Sequence, residues 1–112
     1  MPISYPDDDD GDSLRRVAEH GADMSQPMSI EFSINVPDLV RAHSLAERIA
    51  PAGFHPEIYV DDETGCVSIY CAKSMLATYQ GVVAAQYELN ELCALFGADC
   101  DGWMTGGNRR DQ

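Results

Sequence analysis

The stretch CVSIYCAKSMLATYQGVVAAQYELNELCALFGADCDGW, residues 66–103, decides the fold. Val67, Ile69 and Cys71 alternate with Ser68 and Tyr70, the period of a half-buried strand. From about Met75 the apolar spacing changes to three- and four-residue steps, which predicts a helix. Tyr79, Val82, Val83, Leu89, Leu92, Cys93 and Phe96 make its core stripe, Glu88 and Glu91 lie off it, and Gly97 is placed to cap it. Ala98 to Trp103 then reads as another strand. Two parallel strands joined by a helix leave sheet edges and an apolar stripe unpaired, so the rest of the chain has to supply partners.

Upstream it does. Met28, Ile30, Phe32, Ile34 and Val36 alternate with Ser29, Glu31, Ser33 and Asn35, predicting a strand with one core face and one wet face. Pro37-Asp38 opens a helix whose stripe is Leu39, Ala42, Leu45, Ala46 and Ile49, and Pro51 with Gly53 closes it. Phe54 to Val60 is a strand that Pro56, lacking a ladder donor, assigns to a sheet edge. Asp61 to Gly65 forms a polar hairpin loop into Cys66 to Ala72. The loop's carboxylates lack the ligand spacing of an EF-hand and are expected to be solvated.

The element order is strand, helix, strand, strand, helix, strand behind a short helix. This is the α+β, ferredoxin-like β-α-β-β-α-β sandwich with an extra N-terminal helix and a four-stranded antiparallel sheet. Right-handed crossovers put both long helices on one face, with the first and third strands in the middle. The short helix is expected to be capped by Asp12 or Ser13, to carry Leu14, Val17 and Ala18 on its apolar side, and to need docking for stability. Residues 1–11, with the run Asp7-Asp8-Asp9-Asp10, are read as a flexible acidic tail, 12–104 as the domain and 105–112 as a second tail. The run's other readings are an attractor for a basic partner, or favourable charge ahead of a helix N-terminus.

Composition narrows the function. A chain of 112 residues builds one domain. No apolar run approaches the roughly 18 residues of a membrane span, and no signal-peptide pattern opens the sequence, so the expected place is the cytoplasm. Nineteen acidic against seven basic side chains give a net charge of −12, which favours a monomer or weak dimer and repels phosphate backbones. Direct nucleic-acid binding is not expected, whereas a basic protein partner is.

Individual chemistries fail on residues. Cys66, Cys71, Cys93 and Cys100 form no C-x-x-C and read as small apolar residues, with no cofactor or metal expected. His20, His43 and His55 lie on separate elements beside no activated nucleophile. Asp99 and Asp101, two apart on a strand, share a face and could work as an acid/base pair, but solvated carboxylates are the commoner meaning. No enzyme is expected. The residues assigned to a partner-facing surface are Glu31, Tyr70, Asp99, Asp101 and Trp103. For Trp103, burial against the long helix is weighed against a role as an interface anchor.

Several pieces in order match one family. These are Asp10-Gly11-Asp12-Ser13-Leu14-Arg15-Arg16, Ser44-Leu45-Ala46-Glu47-Arg48, Ala52-Gly53-Phe54, Lys73-Ser74-Met75, and Cys100 leading into Asp101-Gly102-Trp103. In these the chain resembles the ribonuclease E inhibitor family typified by regulator of ribonuclease activity B. The resemblance implies a ferredoxin-like fold with an additional N-terminal helix. It also implies a non-enzymatic protein that binds the regulatory, scaffold-forming part of ribonuclease E and lowers RNA cleavage. An acidic inhibitor meeting a basic segment is physically reasonable, because long-range attraction speeds encounter. The alternative is a small-molecule-binding or regulatory ferredoxin-like domain that dimerises through its sheet.

Overall fold

A computed structural model describes residues 8–107. In chain order its elements are α1 (Asp9–Glu19), β1 (Met28–Val36), α2 (Leu39–Ile49), a 3-10 turn (Ala50–Ala52), β2 (His55–Val60), β3 (Val67–Met75), α3 (Tyr79–Ala94) and β4 (Asp99–Thr105). The strands form one antiparallel sheet in the order β2-β3-β1-β4, so Pro56 stands on an edge strand.

The alternation in β1 sets the layers. Met28, Ile30, Phe32, Ile34 and Val36 are all buried, and they join Val67, Ile69 and Cys71 of β3 in one core. Ala42, Leu45 and Ile49 of α2 and Val82, Ala85, Leu89 and Cys93 of α3 close over the same face. At one end Phe54 packs edge-on against Phe32, ring centroids 5.8 Å apart, and the Lys73 ammonium covers the Phe54 ring at 4.8 Å. Each fully buried aliphatic side chain contributes about 1.5–3 kcal/mol. Among the described residues no helix covers the sheet's other face.

Local signals fix most helix starts. Asp38 caps α2 by accepting the Arg41 N–H at 2.8 Å, and Thr78 caps α3 by accepting that of Gly81 at 3.0 Å. Asp61 folds the hairpin loop by accepting the amides of Glu63 and Thr64, and Gly65 takes the positive φ of 76° that ends it.

Three boundaries differ from expectation. The first is α1, which begins at Asp9 with Asp8 as its cap, ahead of Asp12 or Ser13. Asp8 accepts the Gly11 N–H at 2.8 Å, and Asp9, Asp10 and Asp12 occupy the first turn, where the helix dipole favours negative charge. Residues 8–11, assigned to a tail, are therefore the start of a helix that docks through the fully buried Leu14. The second is β3, which runs on to Met75 and delays α3 to Tyr79. Lys73, Ser74 and Met75 pair with Ile30, Ser29 and Met28, and a full-length neighbour extends a strand beyond its own alternation. The third is β4, which runs to Thr105, inside the stretch assigned to the second tail. The remaining parts of both expected tails, 1–7 and 108–112, lie outside the described residues.

Candidate functional site

The uncovered face of the sheet is the candidate site, and strand register determines what stands on it. Partners in an antiparallel ladder share a face. One row is Tyr59, Ser68, Asn35 and Asp99; the next is Glu57, Tyr70, Ser33 and Gly102; the third is His55, Ala72, Glu31 and Met104. Tyr59 and Tyr70 lean together with ring centroids 6.2 Å apart. Beside this aromatic pair the floor is made of small residues, Ser33, Ala72 and Gly102.

Its electrostatics are one-signed. Glu31, Glu57 and Asp99 point from this face and Asp101 is exposed at its rim, while no Lys or Arg of the described residues stands on it. Lys73 pairs with Ile30 and so belongs to the helix face, over Phe54.

A register shift separates the expected site residues. Strict alternation would put Asp99, Asp101 and Trp103 on one face. The β1–β4 pairing instead slips between Ser33 and Ile34: Cys100 lies opposite Ile34, Gly102 opposite Ser33, and Asp101 is the extra residue of the bulge. Gly102 absorbs the distortion at φ 141°. After the bulge Trp103 pairs with core-facing Phe32 and packs on the helix side. Glu31, Tyr70 and Asp99 are thus brought together, Asp101 stays at the rim, and Trp103 is carried to the opposite side of the sheet.

There Trp103 meets a residue that the sequence reading placed in the tail. Its Nε1–H donates to Asp10 Oδ1 at 2.8 Å, and the same oxygen accepts from Gln86 Nε2 at 3.1 Å. Asp8 accepts from the Tyr79 hydroxyl at 2.5 Å. This bond holds the Asp8 carboxyl below its usual 3.8 and raises the Tyr79 phenol above its usual 10.0. Half of the acidic run is therefore a clamp joining α1 to α3 and β4. Helix-start preference for aspartate was the one available signal for it.

Burial pushes the Cys71 and Cys93 thiols up to about 12 and raises that of Cys100. Among the described residues no three His, Cys, Asp or Glu side chains are grouped to hold a metal ion.

The fold and the face together define a class: a small α+β domain with its helices on one side of an antiparallel sheet and an acidic, tyrosine-bearing surface on the other. Across residues 7–105, nearly its whole length, the chain matches the family model described as regulator of ribonuclease activity B. The protein belongs to that family, whose description is that of a regulator of ribonuclease activity. No curated protein matched the chain. Among the described residues no helix is long and apolar enough to cross a membrane.

Proposed function

We propose that this protein lowers RNA cleavage by binding a basic regulatory segment of ribonuclease E through the open face of its sheet, acting by protein contact and without catalysis of its own. Family membership supports the regulatory role. The observation that carries the binding mode is the absence of Lys and Arg from that face among the described residues, set beside Glu31, Glu57, Asp99 and Asp101. Tyr70 and Tyr59 supply the large, partly rigid contact area typical of interface anchors. We further read the architecture as a ferredoxin-like sandwich with an added N-terminal helix, supported by the β2-β3-β1-β4 order. Action in the cytoplasm, as a monomer or weak dimer, belongs to the same proposal.

The test is titration of the basic regulatory region of ribonuclease E with the full chain at increasing salt, alongside RNA-cleavage assays. Affinity should fall steeply with salt, and the double variant E31K/D99K should bind at least tenfold more weakly while remaining folded. Tyr70→Ala should shorten the lifetime of the complex. Salt-independent binding, or full inhibition by E31K/D99K, would reject the sheet face as the contact. A dimer whose melting temperature rises with a small-molecule ligand would favour the alternative reading.

A further inference from the structure

The helix α3 is apolar on two sides, and the described residues cover only one. Val82, Ala85, Leu89 and Cys93 are buried against the sheet. Val83, expected in that stripe, instead stands on a second flank one turn before Tyr87, the two side chains 36% and 68% exposed. With Tyr79, Ala84, Glu88 and Glu91 they line an open groove of about 500 Å³. Single exposed apolar residues need no explanation, but neighbouring ones gathered in a groove along one helix do.

The groove is acidic at both ends. At its start the Tyr79 hydroxyl is bonded to Asp8, which brings the first turn of α1, with exposed Asp9, to that end. At its finish stand Glu88 and Glu91, and the last turn of α3 contains no basic residue to balance the negative end of the helix dipole. No Lys, Arg or His occurs anywhere in α3. From Tyr79 to Glu91 the helix rises roughly 18 Å.

We propose that this groove is a second docking surface, separate from the sheet face, for a protein segment with an apolar centre and basic residues at both ends, roughly 18 Å apart. Val83, Ala84 and Tyr87 receive the apolar centre, while Glu88 with Glu91 and the acidic start of α1 receive the two basic ends. A second copy of this chain is the poorer occupant, because a two-fold contact through the groove sets acidic ends against acidic ends. The inference depends on α3 and α1 alone and stands or falls independently of the sheet-face reading.

The probe is a synthetic amphipathic peptide with a Leu-rich centre and two Arg at each end, titrated into the isotopically labelled full chain and followed by NMR. Two further peptides replace the Arg with Glu, or the Leu with Ser. Shift changes should map to α3 and the first turn of α1, and both control peptides should bind at least tenfold more weakly. V83S/Y87S, both exposed positions, should keep the circular dichroism spectrum and lose at least tenfold in affinity, while E31K/D99K should bind the peptide as wild type does. The proposal is overturned by shifts confined to the sheet face, by undiminished binding of the Glu peptide or of V83S/Y87S, or by a dimer in sedimentation that V83S/Y87S dissociates.

Discussion

Replacing Asp10 by alanine removes one oxygen that serves donors from two other elements, Trp103 Nε1 on β4 and Gln86 Nε2 on α3. A hydrogen bond to a charged group is worth about 1.5–3 kcal/mol when well shielded, and these are only partly buried, so about 1 kcal/mol each is the working figure. Loss of first-turn charge adds about 0.3–1 kcal/mol. The expected total is about 2–3 kcal/mol, or roughly 8–20 °C in melting temperature for a domain of this size. Asp9→Ala is the matched control: Asp9 is exposed in the same turn and should cost only the dipole contribution. Urea unfolding gives the free energies, and fluorescence reports the site directly because Trp103 is the single tryptophan. Combining D10A with Trp103→Phe should show a coupling of about 1 kcal/mol. If D10A costs no more than D9A, or the cycle shows no coupling, the Asp10 bonds contribute nothing and α1 is held by Leu14 and the Asp8–Tyr79 bond.

The Asp8–Tyr79 bond should give a two-sided pH dependence. The lowered Asp8 value means stability present above about 3.8 that is lost as pH falls through the folded value; the raised Tyr79 value means stability present below about 10.0 that is lost as pH rises through it. Tyr79→Phe should therefore melt below wild type between those limits and converge with it outside them, and a pH-independent gap would refute the assignment. Gly102→Ala, with open space around the added methyl but φ at 141°, should cost about 1–3 kcal/mol in urea unfolding through backbone strain alone. Native thiol labelling at pH 8 should modify exposed Cys66 first, a phase that Cys66→Ser removes, whereas Cys71 and Cys93, pushed up to about 12 by burial, should react only on unfolding.

Elements with one strong period were legible without coordinates. The alternation of Met28 to Val36 and the cap and stripe of Asp38 to Ile49 are local properties: side-chain spacing and a capping carboxylate act within a few residues of themselves. From them the sequence by itself determined an α+β domain with one core, one wet sheet face and an acidic surface, and the presence of Glu31 and Tyr70 on that face. Its quoted motifs also carried the likeness to the regulator family.

Only the tertiary structure decided three things. The end of β3 followed the length of β1, because a ladder continues as long as its neighbour does. The side taken by Val83 depended on which flank of α3 meets the sheet, and a helix apolar on two flanks cannot announce that choice. Above all, the face occupied by Trp103 turned on one extra residue, Asp101, in the pairing of β4 with β1. A bulge is a property of two strands together, and shifting an alternation of period two by one residue moves every later side chain to the other face. The stretch from Cys66 to Trp103 therefore specified a strand, a helix and a strand, while the neighbour it paired with decided that the final tryptophan stands on the helix side of the sheet, bonded to Asp10 of α1.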